Sequence, residues 1–393
     1  MRFFPRARGR TLAATVGWLS SWPVFFALIW PAGMARAGEL SEVFVAGRDG
    51  YHTYRIPSLV VTPAGTLLAL CEARRRSASD TGDIDVVAKR STDNGATWSA
   101  QKIIWDDGDN TCGNPCAVID RDSGNIFLLL THNLGADNEA RIKAKKSNGT
   151  RTVWISQSSD DGRSWSRPRE ITSAVKNPAW GWYATGPGVG IQLRQGPHRG
   201  RLIVPCDHSY APEAVPENIE SGAHIIFSDD HGKTWSLGGS VGPKLNECQV
   251  AELDDGAGAM LLSLRNYPRG TRRAQSISHD GGASWSEPQM HPDLVDPTCQ
   301  ASIIRFGGAA PGKSARLLFS NPAAEDRSHM TVRRSDDGGR TWAASRLVFE
   351  KSAAYSCLGE LPNGEVGLLF ECGEKSAYEK IVFIHFPMTL LDL

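Results

Sequence analysis

Four ionisable residues occupy the same place in a repeated pattern. Glu72, His132, Arg265 and Glu371 each stand at or just beyond the end of a short apolar run, the runs being Thr66–Cys71, Ile126–Leu130, Met260–Leu264 and Val366–Phe370. A guanidinium offers paired donors that match a carboxylate, and a carboxyl or imidazole group can pass a proton. If the runs are equivalent strands of one repeat, their ends project to one face and these side chains gather at one mouth.

The elements that would position them are repetitive. Ser, any residue, Asp, any residue, Gly, any residue, Ser or Thr, then Trp occurs at Ser91–Trp98, Ser158–Trp165, Ser228–Trp235, Ser278–Trp285 and Ser335–Trp342. Asp and Ser cap backbone N–H groups of a tight turn, Gly takes a positive φ, and Trp anchors the hairpin in the neighbouring core. Alternating strands precede most copies, at Asp85–Lys89, Thr152–Ser156, Ala223–Phe227 and Met330–Arg334. The apolar runs, with two more at Leu202–Pro205 and Leu317–Phe319, form a second repeat. Short strands with one such turn per unit, at a period of roughly 40 to 70 residues, suit a radial array of four-stranded sheets. The expected fold is all-β, a six-bladed β-propeller of four-stranded antiparallel sheets, its last blade closed by strands from both ends of the chain. The alternative is a β-sandwich with accidental turn similarity.

The chain opens with Arg2, Arg6, Arg8 and Arg10, an apolar stretch from about Thr11 to Met34, and Ala35-Arg36-Ala37. Residues 1–37 therefore read as a secretory signal peptide and 38–393 as one exported domain, secreted or periplasmic; an uncleaved amino-terminal anchor is the alternative. Without residues 1–37 the chain carries 38 basic against 43 acidic residues, about −5, which suggests no nucleic-acid face. No further membrane span is expected in the mature chain. Of the eight cysteines, Cys112 and Cys116 are placed to close a loop by a disulfide, while the others read as small buried hydrophobes. No pair has zinc-ligand spacing with histidines nearby, so neither a catalytic metal nor a cofactor is expected.

The hexapeptide His52-Thr53-Tyr54-Arg55-Ile56-Pro57, joined to the five turns, carries a resemblance over essentially the whole mature chain. It resembles the sialidase (exo-α-neuraminidase) family, whose signature is an aromatic residue followed by Arg-Ile-Pro near the start of a six-bladed propeller with these turns. The resemblance implies three arginines holding a substrate carboxylate, and Arg55, Arg265 and Arg327 match them. Arg333 and Arg334 fall within the following strand and are expected to pair at its surface. Asp80, twenty-five residues beyond Arg55, matches the acid/base residue, with Asp83 and Asp85 as competing choices. Tyr355 matches the nucleophile, and Glu247 its partner, with Glu252 as the alternative. Glu371 resembles the glutamate that orients the first arginine. Arg74, which with Arg75 and Arg76 would otherwise read as a solvated patch, joins the substrate-binding set.

The Thr111–Pro115 stretch, Thr131-His132-Asn133 and Trp180–Gly188 look like family loops that shape the sugar pocket. Trp182 is assigned to substrate contact, although Trp180 and Trp182 equally suit a core. Asp207 and His208 are weaker candidates. The pattern departs at Val189, where many relatives carry His.

The activity implied is retaining hydrolysis of terminal α-linked sialic acids through a covalent tyrosyl intermediate, with sialylated glycans as partners. A neutral tyrosine avoids the repulsion that a carboxylate nucleophile would meet from the carboxylate on the reacting carbon, provided a base takes its proton. The alternatives are transfer by a trans-sialidase, cleavage of a related nonulosonic acid, or a non-catalytic sugar-binding propeller.

Overall fold

Each turn copy folds as its residue types dictate. In the computed structural model, which describes residues 38–391 apart from 214, 216, 268–270 and 309–314, the first Ser accepts from the Gly N–H. That bond spans 2.8–2.9 Å in all five copies. The Asp takes the N–H of the seventh residue at 2.8–3.0 Å and its hydroxyl as well. These bonds draw the carboxyls of Asp93 and Asp160 down to about 2, and those of Asp280 and Asp337 reach about 2 against the opposing pull of burial. Gly is required twice over: at Gly95, φ is +86° and a Cβ would stand 2.2 Å from the Phe383 ring. The expected export signal, residues 1–37, lies outside the described residues.

The strands pair as successive antiparallel meanders. Thr53–Val61, Leu67–Arg74, Ile84–Ser91 and Lys102–Trp105 form one, and Thr111–Ile119, Ile126–Asn133, Thr152–Ser158 and Arg169–Glu170 the next. Leu202–Tyr210, Glu220–Ser228 and Ser236–Val241 follow, with the short Tyr183–Thr185 and Ile191–Gln192 on the open edge of the first. Leu245–Glu252, Met260–Asn266, Arg272–Ser278 and Gln289–Val295 make another. Strand Ala344–Glu360 is shared: its first part pairs with Ser328–Ser335 and its second with Glu365–Gly373. Lys380–Pro387 then pairs with Ser41–Val45, so strands from both ends of the described chain meet, as expected.

The apolar runs of the sequence lie in the second strand of their meanders, Leu317–Phe319 in Arg316–Pro322 after Ser302–Phe306, and Leu202–Pro205 in a strand preceded only by the short edge strands Tyr183–Thr185 and Ile191–Gln192. The first strand, buried on both faces as in Thr53–Val61 and Thr111–Ile119, lies deeper than the alternating pattern alone reveals. Its start and the end of the second strand are neighbours, for example Arg55 opposite Glu72. The register also slips at that point: between Arg55 and Ser58, Gly113 and Cys116, Leu245 and Cys248, and Ala353 and Ser356. Bulges turn side chains out of the ladder, and here they re-aim residues 56–57, 114–115, 246–247 and 354–355. Ile56 and Asn114 adopt positive φ, 62° and 49°; a β-branched residue there stores strain, about 1–3 kcal/mol.

One expectation fails. All eight cysteines are buried and unbridged. Cys112 and Cys116 lie on a single strand, opposite His132 and Leu129, and the three ladder steps between those partners put the two thiols roughly 10 Å apart along the strand, beyond the reach of a disulfide. They pack as small hydrophobes, as the other six do.

Candidate functional site

The bulged starts and the second-strand ends surround a polar cleft of about 750 Å³. Of the residues singled out in the sequence, Arg55, Glu72, Arg74, Asp80, Trp182, Asp207, Glu247, Arg265, Arg327 and Tyr355 line it. Glu371 lies directly behind, fully buried.

Glu371 organises one wall. Its Oε1 accepts from Arg55 Nε and from the strained Ile56 N–H, both at 2.8 Å, and its Oε2 from the Tyr355 N–H at 3.1 Å. One carboxylate therefore fixes the first arginine and the tyrosine backbone together. The Arg55 guanidinium lies over the Tyr378 ring at 4.0 Å and near the Tyr355 ring at 5.0 Å. Tyr378 Oη in turn accepts from Arg327 at 2.6 Å.

Tyr355 sits at the centre. Its hydroxyl donates to Glu247 Oε1 at 2.6 Å and accepts from Arg265 Nη1 at 3.1 Å. Arg265 Nη1 also bonds Glu247 Oε2 at 2.5 Å. Burial, then the Glu247 charge, push the phenol well above its ordinary value despite Arg265 and Arg55, so it is held neutral.

Asp80 is on the loop between the Leu67–Arg74 and Ile84–Ser91 strands, its side chain 63% exposed. Arg74 Nη2 reaches its Oδ1 at 2.7 Å and Arg55 stands at 3.9 Å. Burial works to raise its pKa, but Arg74 and Arg55 overcome it and hold the carboxyl below the usual range. Arg74 also grips the loop through the Ala78 carbonyl at 2.6 Å and is itself held by Glu72 at 2.7 Å.

The competing choices lie elsewhere. Asp85 is taken up by Tyr51 at 2.5 Å and Arg75 at 2.8 Å, and Asp83 faces Arg75. Glu252 accepts from the Arg194 and Gln195 N–H groups and from Arg305 Nη1, in a separate cavity that Val189 also lines. Arg333 bonds Asn321 and Arg334 pairs with Asp336, as expected of strand residues.

His132 departs from the convergence expected of strand ends: it stacks on Trp105 at 5.4 Å and bonds Asp107 at 2.7 Å. Trp180 and Trp182 divide between core and cleft. Trp180 stacks on the buried His208 at 3.7 Å, whereas Trp182 lines the cleft under the Arg151 guanidinium, 4.0 Å from its ring. Asp207 is 1% exposed and accepts from Asn246 Nδ2 at 2.8 Å; burial first, then Glu247, push its carboxyl well above the usual range.

Sequence reasoning did not single out Arg151, Tyr267 or Tyr378. The Glu72/Arg74 spacing was a usable signal, because residues two apart on a strand share a face. Tyr378, in the loop before the Lys380–Pro387 strand, offered none.

As a whole the cleft can bind a carboxylate among arginines, deprotonate a buried phenol through Glu247, and exchange a proton with solvent at Asp80. The chain matches a family model described as a BNR repeat-like domain over residues 65–368. A sialidase of Micromonospora viridifaciens is 37% identical over 353 residues, covering 86% of this chain and 52% of that protein. This chain thus spans about half the length of that relative. An exo-alpha-sialidase of Aspergillus fumigatus is 32% identical over 400 residues, covering 93% of this chain and 90% of the relative. Among solved structures, the Hadza microbial sialidase Hz136 superposes with a TM-score of 0.79 at 33% identity, covering 90% of this chain and 69% of that one.

Proposed function

Because the chain belongs to the sialidase family, we propose that it is an exo-α-sialidase hydrolysing terminal α-linked sialic acids of glycans with retention of configuration. The observation that carries this reading is the buried Tyr355 hydroxyl, hydrogen-bonded to Glu247 at 2.6 Å and to Arg265 at 3.1 Å in a cleft lined by Arg55 and Arg327. Arg55, Arg265 and Arg327 hold the sugar carboxylate. Each charge-assisted bond contributes about 1.5–3 kcal/mol, so the clamp both binds and orients.

Bound substrate brings a further anion to Arg55, beside Glu371 and Asp80, and covers Asp80. Both changes raise the Asp80 pKa toward the protonated form that a leaving-group acid needs. Asp80 gives its proton to the departing glycosidic oxygen as Tyr355 Oη attacks the anomeric carbon and Glu247 takes the phenolic proton. Asp80, now ionised, then draws a proton from water, which cleaves the sialyl–tyrosine bond and returns the proton from Glu247 to Tyr355. Arg74 holds the Asp80 loop within reach, and Glu371 keeps Arg55 and Tyr355 in register.

The same proposal gives the meanders a radial arrangement as the blades of a six-bladed propeller. That arrangement explains why second-strand ends from distant parts of the chain share one cleft. The chain acts outside the cytoplasm, exported by residues 1–37. The test is fluorophore release from an α-linked sialoside by the purified chain between pH 4 and 8, with the anomer of the first product read by NMR. Release of the α-anomer supports the reading. A folded protein that releases nothing, or an inverted product, overturns it.

A further inference from the structure

Lys176 is a buried cation with an unusual set of partners. It follows the short helix Thr172–Val175, is 7% exposed, and donates to Thr150 Oγ1 at 2.7 Å, the Arg151 carbonyl at 2.7 Å and the Gly181 carbonyl at 2.8 Å. An ammonium has three N–H donors, and here all three are matched by neutral oxygens. No carboxylate pairs with it among the described residues, and the charges that act on it are Arg151 and Lys145, both repulsive. Burial, together with those two cations, pushes it down to about 7. Burying an ammonium without an ion partner is unfavourable, and its three hydrogen bonds offset part of that cost while tying together the groups that accept them.

What they hold is the far wall of the cleft. Arg151 precedes the Thr152–Ser158 strand and Gly181 lies just before Tyr183–Thr185, so the two carbonyls belong to different meanders. Directly attached to them are the two side chains of the wall: the Arg151 guanidinium and the Trp182 ring stacked under it at 4.0 Å. Arg151 is otherwise fixed by Asn133 at 2.6 Å, Thr131 at 2.8 Å and Asn114, all on its own side of the junction. Trp182 is fixed by Ser209 at 2.8 Å on the other side. Lys176 donates to both sides at once.

We propose that Lys176 is a positioning residue that sets the Arg151–Trp182 wall of the cleft, and so governs substrate binding without taking part in the chemical step. The assay half of the test rests on the sialidase reading, whereas the spectroscopic half does not. Lys176→Met keeps the length of the side chain and removes all three donors. It is expected to raise KM about tenfold while kcat stays within about twofold, the loss of a few net hydrogen bonds at a site remote from the reacting atoms. In an Arg151→Met background the same change should raise KM no further, because its effect is transmitted through that wall. In protein labelled with fluorotryptophan, the ¹⁹F resonance of Trp182, assigned with Trp182→Phe, should shift.

An unchanged KM together with an unmoved Trp182 resonance overturns the proposal. So does a loss confined to kcat, or a KM effect that adds in full to that of Arg151→Met. If the parent cleaves no sialoside, it is the sialidase reading that fails, and the Trp182 resonance alone decides for or against Lys176. If Lys176→Met does not fold, Thr150→Val removes one of the three bonds and should give the same pattern at about two- to threefold; no effect there counts against the proposal.

Discussion

Glu371 is the residue whose replacement should be felt twice, in stability and in substrate binding. It is fully buried, and its two oxygens accept three hydrogen bonds, one from a charged donor. In Glu371→Gln the side chain keeps one acceptor oxygen and presents an NH2 where an acceptor stood, so it confronts donor to donor either the Tyr355 N–H or both Arg55 Nε and the Ile56 N–H. Loss of the charge-assisted bond to Arg55 costs about 1.5–3 kcal/mol, and a buried donor left unmatched about 1–3 more. The sum, about 2.5–6 kcal/mol, brackets the roughly 3–5 kcal/mol that removing one partner of a buried ion pair costs. Against a typical total of 5–15 kcal/mol, the urea midpoint should fall markedly with little change in slope. KM should rise at the same time, because Arg55 is then guided by the Tyr378 and Tyr355 rings and the Asp80 carboxylate 3.9 Å away, without its close partner. Arg55→Met added to Glu371→Gln should recover part of the stability, since no buried guanidinium is then left unpaired, while KM worsens. Urea unfolding followed by tryptophan fluorescence, with KM for an α-sialoside, measures both. A Glu371→Gln protein within about 0.5 kcal/mol of the parent and with an unaltered KM would refute the argument.

Arg74 stands 2.7 Å from Asp80 and keeps it ionised in the free protein, so Arg74→Met should raise the Asp80 pKa and move the descending limb of kcat/KM to higher pH; an unmoved limb counts against Asp80 as the acid. The turn carboxyls at about 2 titrate near 4 when unfolded, so their contribution is complete above about pH 4 and is lost as pH falls toward 2. The urea midpoint should accordingly drop over that window, and Asp160→Asn should lower it at pH 7 while flattening its fall. The eight buried thiols should resist a thiol reagent until the protein unfolds, and a reductant should leave the midpoint where it is; a reductant-sensitive midpoint would reveal a disulfide.

The parts of the site that could be read from the sequence are those written locally. Five copies of the capped turn fix the meander repeat because Ser, Asp and Gly each answer one local geometric demand, and the structure meets those demands in every copy. Repeat alignment then brings Glu72, Arg265 and Glu371, each in its own sheet, to the corresponding strand end. It fails for His132, whose ring finds Trp105 at the end of the preceding meander's last strand, a partner that no in-strand period encodes. The bulges were half visible, through Pro57 and Pro115, but not their result, the re-aiming of Glu247 and Tyr355. Arg151, Tyr267 and Tyr378 enter the cleft from loops whose course is set by packing between meanders, so their role is fixed only once the sheets are assembled. The Cys112–Cys116 expectation erred for a related reason: it treated a strand as a loop.

The central claim is that Tyr355 is the atom donor to a covalent sialyl intermediate, and Tyr355→Phe tests it most directly. The substitution removes only the hydroxyl that bonds Glu247 and Arg265 and keeps the buried ring between the arginines. Turnover of an α-linked sialoside by the purified parent, falling about a hundredfold or more in Tyr355→Phe at an unchanged urea midpoint, is the predicted result. Equal turnover by the two proteins would contradict the account.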